Sequence, residues 1–300
     1  MEDFLSMNQD QQTPSAANAG SIQLGDISVH RLGYGAMRIT GKGIWGEPDD
    51  REAALATLRR AVELGVNFID TADSYGPYIS EEIIAEALAP YPSGFVIATK
   101  GGWERVGPAK WTHNASPKHL ESAVEGSLKR LRLDRIDVYQ LHIPDPAVSF
   151  DASMSTLAHL REQGKIRHVA LSNVTLEHLE RARKIVPIVS VQNRYSFADR
   201  EWDYLLNHCA ENEIAFIPWA PLGQNRQAHE ILERVAASIG ATPLQVALAW
   251  LLRRSSAILP IPGTSSVTHL EENIAAASLQ LPDAMFGELS AFQPSPASLR

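Results

Sequence analysis

Short apolar runs rich in β-branched residues alternate along the chain with stretches whose apolar positions recur at helical spacing. The runs fall near Arg31–Tyr34, Val66–Asp70, Phe95–Thr99, Ile136–Leu141, His168–Ser172, Ile188–Gln192, Ala215–Trp219 and Ala257–Ile261. They read as buried strands. Between them, Leu55, Leu58 and Val62 share one helix face that ends at Gly65, and Leu120, Val124, Leu128 and Leu131 share another. Ser116 and Pro117 mark the start of that second helix, and Ser80, with Glu81 and Glu82 behind it, marks a third. Before the first run, Ser21–Leu24 and Ile27–His30 flank Gly25-Asp26 and read as a small hairpin. Two additional helical segments, Thr242–Arg253 and Pro282–Phe292, lie outside the alternation. The pattern predicts an α/β chain folded as a (β/α)8 barrel with an N-terminal hairpin and two extra helices; an open doubly wound sheet is the competing arrangement.

A length of 300 residues with 44% hydrophobic content suits one such barrel. No linker or repeat divides residues 21–300, which read as a single domain. Residues 1–20 are rich in Gln, Asn, Ser and Ala, lack the basic and apolar regions of a signal peptide, and read as a disordered leader. The formal net charge of -8 argues against nucleic acid or an anionic membrane as the main partner. Glu81-Glu82 and Arg253-Arg254 read as solvated helix faces. No run is long and apolar enough to span a bilayer. Cys209 is the single cysteine, so no intrachain disulfide forms; it reads as a buried small hydrophobe in a chain of the reducing cytoplasm.

In a barrel the chemistry sits at the C-terminal ends of the strands. Polar residues collect there: Asp70, Lys100, His142, Ser172, Asn173 and Gln192. Gly41-Lys42-Gly43-Ile44-Trp45-Gly46 spells a dinucleotide fingerprint, but no helix opens inside it; the turn Glu47-Pro48-Asp49-Asp50 comes first, and a helix starts near Arg51. It reads instead as a loop over a site. No tyrosine is followed four residues later by lysine, no histidine pair has metal-ligand spacing, and Ser172 lacks the nucleophile elbow of hydrolases. What remains is Asp70-Thr71-Ala72-Asp73-Ser74-Tyr75-Gly76, with Lys100 and His142 ending the next two strands. A lone tyrosine is a poor acid at neutral pH. An ammonium such as Lys100 lowers its pKa, Asp70 can hold that ammonium, and His142 can bond a substrate oxygen. Together they would deliver a proton to a carbonyl.

These residues resemble the aldo-keto reductases. The likeness runs through Arg31–Met37, Asp70–Gly76 with Ser80–Glu82, Leu171–Asn173, Val191–Asn193 and Ile261–Ser266 with His269 and Glu272-Asn273. It implies a barrel that binds NADPH, with NADH as an alternative, and reduces a small-molecule aldehyde or ketone. Asp70, Tyr75, Lys100 and His142 would form the catalytic tetrad, with Tyr75 the proton donor. Ser172, Asn173 and Gln192 would hold the carboxamide, and Trp219 would stack where the family usually has tyrosine. Gly35, Met37, Pro221, Leu222, Gly223, Arg226, Ile261, Gly263, Thr264, Ser265, His269, Glu272 and Asn273 would complete the cofactor site. Gly263, Thr264 and His269 stand where the family often has a Lys-Ser pair and an arginine for the 2′-phosphate. Trp45, Trp103 and Tyr195 are expected as walls of the substrate pocket.

Within the family, Arg31–Met37, Leu171–Thr175, Ala241–Trp250 and Ile261–Ser266 are most similar to bacterial pyridoxal reductases, which implies pyridoxal as the leading substrate. Another aldehyde or a cyclic ketone is the alternative. A second class of function stays open, because some proteins of this fold act as regulatory subunits that sense bound nicotinamide. The oligomeric state is not readable.

Overall fold

A computed structural model describes residues 13–221 and 226–292, with the backbone alone at Arg226. Seven strands form one parallel sheet: β3 (Tyr34–Gly35), β4 (Phe68–Asp70), β5 (Val96–Gly101), β8 (Ile136–Leu141), β9 (Ile166–Ser172), β10 (Ile188–Arg194) and β11 (Ala215–Trp219). Each pairs with the next in that order. The eighth run closes the circle without forming a ladder. The N–H of Phe216 donates to the carbonyl of Ala257 (2.8 Å), that of Leu259 to Phe216 (2.9 Å), and that of Gly33 to Pro260 (2.9 Å). Pro260 and Pro262 carry no N–H, so pairing there stops at a single bridge.

The predicted hairpin is present as β1 (Ser21–Leu24) and β2 (Ile27–His30). Its Leu24, Ile27 and Val29 pack with Phe68, Val96 and Val189 from the beginnings of the strands, closing the bottom of the barrel. Helices cover the outside: α1 (Arg51–Glu63), α2 (Ile79–Leu88), α3 (Pro117–Leu131), α4 (Phe150–Glu162), α5 (Leu176–Arg183), α6 (Asp203–Glu211) and α7 (Arg226–Ile239). The two extra helices are α8 (Pro243–Arg254) and α10 (Asp283–Ala291), and α9 (Val267–Ala275) follows the closing segment. Asp50 caps α1 through the N–H of Ala53 (2.9 Å), and Ser116 caps α3, as their residue types predict.

Three expectations are corrected, and one element is added. Tyr78, in the left-handed region, precedes α2, so Ser80 is not its cap. The Ser80 hydroxyl instead bonds the Thr71 hydroxyl (2.8 Å) and the Ala36 carbonyl (3.2 Å). Glu81 is not on a solvated face; it is fully buried, accepting from Thr99 (2.6 Å) and Arg130 (2.7 Å). The end of the presumed leader is ordered: Ala16–Ala19 form a 3-10 turn capped by Ser15 and tied to Leu64 (2.8 Å). Finally, a hairpin not anticipated from the sequence, β6 (Trp103–Gly107) and β7 (Lys110–His113), rises from the end of β5.

Alternation along the strands decides what lines the barrel. Phe68, Val96, Ala98, Val138, Ala170 and Ile217 share the interior cluster. Two residues after Phe68, Ala98, Val138, Ala170 and Ile217 come Asp70, Lys100, Gln140, Ser172 and Trp219, so the pleat aims these at the interior near its C-terminal mouth. At the seam, Gly35 has no room for a side chain: a Cβ there would lie 2.6 Å from the Ile261 carbonyl oxygen. Gly35→Ala is therefore expected to cost about 1–3 kcal/mol through overpacking. Urea unfolding monitored by circular dichroism measures it, and unchanged stability would contradict the tight seam.

Candidate active site

At the mouth, Lys100 is fully buried and its Nζ donates to Asp70 Oδ1 (2.5 Å), the Thr71 carbonyl (2.8 Å) and the Tyr75 hydroxyl (3.4 Å). Asp70 Oδ2 accepts from the amides of Gln140 (2.7 Å) and Gln192 (2.9 Å). The two charges thus pair inside a closed set of hydrogen bonds, the condition under which buried ions are tolerated. Gln140 escaped the sequence reading, although its position two residues after the interior Val138 marks it.

Tyr75 sits on the turn between β4 and α2. Its N–H donates to the Ala72 carbonyl (3.2 Å), and its carbonyl accepts from Ser80 (3.1 Å). Gly76 follows at φ 105°, where a Cβ would strike the Ile79 side chain at 2.5 Å. The rings of Tyr75 and His142 meet edge to face at 5.9 Å. The Ser74 hydroxyl lies 3.4 Å from His142 Nδ1.

Burial drives the Tyr75 phenol above its ordinary pKa, and Lys100 only partly opposes it. Lys100 lowers this pKa, as expected, but desolvation is the larger effect, and the proton stays on the phenol. Burial also pulls the Lys100 ammonium down, but Asp70 and Tyr75 together outweigh it and hold it above its ordinary value. Burial first, and then the charge of Lys100, hold His142 well below the usual histidine range. The site therefore contains a neutral phenol and a neutral imidazole, both competent hydrogen-bond donors, beside a fixed cation. Burial likewise pushes the Cys209 thiol up to about 12, away from any reactive role.

Of the expected pocket walls, Trp45 and Trp103 lie at the mouth. Trp45 bridges to Gly76, and the Trp103 ring faces His142 at 6.4 Å. Trp111, on the unanticipated hairpin, faces His142 at 6.5 Å. The turn Gly107-Pro108 between alternating Trp103, Arg105 and Trp111, His113 is the signal that would have located it. Tyr195 is corrected: it has no exposed surface, stacks in the core with Trp250, and donates its hydroxyl to Asp203 (2.6 Å).

Ser172, Asn173 and Gln192 gather beside Asp70 and His142. The Asn173 amide donates to the His142 carbonyl and to Ser172 Oγ, both at 3.0 Å. Further around, the Tyr34 hydroxyl bonds the Thr264 carbonyl, and Ser266 caps α9. Gly35, Ile261 and Gly263 meet at the seam; Met37 is half-buried beside it. Ser265 and His269 are exposed at the start of α9, while Glu272 is exposed and Asn273 buried further along it. Pro221 follows β11, but Leu222, Gly223 and the side chain of Arg226 lie outside the described residues. Among the described residues, no group of three or more His, Cys, Asp or Glu is placed to hold a metal.

A seven-stranded parallel sheet closed by an eighth segment, with a lysine–aspartate pair beneath a tyrosine and a histidine, defines the class of protein. Residues 31–293 match the model of the aldo/keto reductase family, and the chain belongs to that family. It is accordingly an NAD(P)H-dependent oxidoreductase. It is 47% identical over 279 residues to pyridoxine 4-dehydrogenase of Escherichia coli, covering 91% of this chain and 98% of that one. It is 48% identical over 276 residues to an uncharacterized oxidoreductase of Schizosaccharomyces pombe, covering 91% and 90%. Its fold superposes with a TM-score of 0.76 on an aldo-keto reductase from Klebsiella pneumoniae in complex with NADPH, at 25% identity and coverage of 90% and 93%.

Two outcomes follow from the electrostatics. Lys100→Met leaves Asp70 buried and without its cation, and should cost about 3–5 kcal/mol in urea unfolding; a cost near zero would mean that the pair contributes nothing. His142 stays neutral in the folded state, whereas the unfolded chain takes up a proton below about pH 6.5. Its contribution is present above that pH and lost as pH falls. Between about pH 7.5 and 5.5 the parent should therefore lose more melting temperature than His142→Gln, and equal losses would contradict the assigned direction.

Proposed function

We propose that the chain interconverts an aromatic aldehyde and its alcohol with NADPH as the hydride donor, and that pyridoxal, reduced to pyridoxine, is the leading substrate. The observation that carries this reading is the neutral Tyr75–His142 pair held over the Lys100–Asp70 ion pair, under a mouth walled by Trp45, Trp103 and Trp111. Flat aromatic walls favour a flat ring through offset or edge contacts. The name of the Escherichia coli relative, pyridoxine 4-dehydrogenase, supports the choice of ring.

The residues present suit a dinucleotide. Among the described residues, Trp219 Nε1 and Asn273 Oδ1 are buried polar atoms with no partner, which a bound ligand can satisfy. Gln192 uses its amide N–H groups on Asp70 and Gln140, so its carbonyl oxygen faces the task of accepting from a carboxamide. Thr264, Ser265 and the capped start of α9 offer hydroxyls and backbone N–H groups to phosphate. The absence of fixed cations at Gly263, Thr264 and His269 leaves NADH as an alternative donor. When bound, the cofactor supplies a hydride to the carbonyl carbon. His142 then donates a hydrogen bond to the carbonyl oxygen, and Tyr75 transfers its proton to that oxygen. Lys100 stabilises the phenolate left behind, and Asp70 keeps Lys100 in place. In alcohol oxidation the same groups run in reverse, with Tyr75 as base.

A single cysteine held buried fits the reducing cytoplasm, and among the described residues no single helix is long and apolar enough to cross a membrane. Tyr75→Phe should lower turnover of an aromatic aldehyde by at least about 100-fold while NADPH still binds, as read by quenching of tryptophan fluorescence. Unchanged turnover would sink the mechanism. A panel of carbonyls assayed by NADPH oxidation decides the substrate, and failure of pyridoxal in it would remove that assignment.

A further inference from the structure

Arg105 lies on β6, one strand of the hairpin beside the mouth, and points back towards the catalytic turn. A guanidinium has five N–H donors in a fixed fork. In Arg105 each finds a backbone carbonyl. Nη1 donates to Ile44 (2.5 Å) and Ser74 (3.1 Å), Nη2 to Gly43 (2.8 Å) and Gly107 (3.3 Å), and Nε to Lys110 (3.3 Å). Its plane also covers the Trp111 ring, 3.9 Å from the centroid, and lies 5.6 Å from that of Trp45.

Three segments are joined by this one side chain: the loop 41–46, the turn that presents Tyr75, and the hairpin. The Ser74 carbonyl belongs to the peptide bond that leads into Tyr75. The Ile44 carbonyl also accepts from the Gly76 N–H (3.4 Å), and the Gly46 N–H donates to the Gly76 carbonyl (2.5 Å). Ile44 itself stands at φ 57°, a region that a β-branched residue occupies only when its surroundings impose it. Arg105 supplies that imposition from one side and Gly76 from the other.

We propose that Arg105 is a positioning residue: it fixes the Tyr75 turn and sets Trp45 and Trp111 as walls of the substrate mouth. The inference rests on the reductase reading above, but its structural half does not require it. Because every donor is engaged by backbone, Arg105 has no hydrogen bond to offer an anionic substrate; it acts through the segments that it holds. Lysine cannot replace it, since an ammonium is a point charge with three donors and cannot span five carbonyls.

The test uses the full-length enzyme and two variants, Arg105→Ala and Arg105→Lys. With benzaldehyde as probe, Arg105→Ala should raise KM and lower kcat by about 10- to 100-fold in kcat/KM, counted per bound NADPH, with NADPH affinity within about twofold of the parent. Arg105→Lys should fall nearer to alanine than to the parent, and guanidinium ion at about 10 mM should restore part of the alanine variant's rate. In the absence of any ligand, amide hydrogen exchange at Gly46 and Gly76 should accelerate at least about tenfold in either variant. Parental exchange at both amides would overturn the proposal, as would kinetics per bound NADPH that match the parent. If the alanine variant does not fold, the lysine variant carries the same readouts. If the parent reduces no carbonyl, the reductase reading fails, and the exchange experiment still judges the role of Arg105.

Discussion

The ion pair between Lys100 and Asp70 is the interaction to which the rest of the site is fitted. Two opposite charges sealed in a barrel carry a desolvation cost of several kcal/mol each, and their attraction compensates only when the remaining lone pairs and protons find partners. Here the partners come from several strands. Asp70 closes β4, Lys100 lies in β5, Gln140 in β8 and Gln192 in β10, and the Thr71 carbonyl takes another ammonium proton. A shift in register by one residue in any of these strands would turn its polar side chain outwards and leave the others unpaired. The pair therefore couples barrel geometry to chemistry. Its energetic alternative, a layer of apolar side chains, would be at least as stable but would leave Tyr75 without a cation beside its oxygen.

That coupling explains which features were legible in the chain. Parity within a strand is a local property. The apolar residue two positions before each polar strand end identifies Asp70, Lys100, Ser172 and Trp219 as interior groups, and it would have identified Gln140 by the same rule. Helix caps are equally local: Asp50, Ser116 and the hairpin at Gly25-Asp26 are where their types require. What escaped depends on contacts between segments far apart in the chain. Glu81 follows a start signal and precedes another acid, which reads as a solvated face, yet Arg130 and Thr99 approach from α3 and β5 and make it a buried structural ion. Tyr195 follows a strand end, but its ring turns outward into the packing with Trp250 and α6. The eighth run carries the right apolar pattern, but Pro260 within it and Pro262 just after it lack the donors that a ladder needs.

The molecule divides into two kinds of structure with different tolerances. Below the mouth, the barrel interior and the β1–β2 hairpin are mainly packed hydrocarbon. Above it, loop 41–46, the Tyr75 turn and the β6–β7 hairpin hold one another through backbone hydrogen bonds and the Arg105 side chain. Asp70, Lys100 and His142 belong to the first kind; the Tyr75 hydroxyl reaches Lys100 while its backbone belongs to the second. Tyr75 is thus set from below by electrostatics and from above by loop geometry.

This division separates how a carbonyl is reduced from which carbonyl is admitted. In the proposed mechanism the ion pair and the neutral histidine would act on any C=O group brought within reach, because they address only its oxygen. Selection would then come from the indoles near the mouth, which stand on loops 41–46 and 103–113. Substitutions in those loops can alter substrate preference while the pair beneath stays intact, because no side chain of the loops contributes to the hydrogen bonds of Asp70 or Lys100. Tyr75 is where the two requirements meet, so a loop change that moves its backbone affects chemistry as well as choice. For that reason the clamp at the mouth must be stiffer than a specificity loop alone would need, and a strained Ile44 held against the Tyr75 turn is a physical sign of that stiffness.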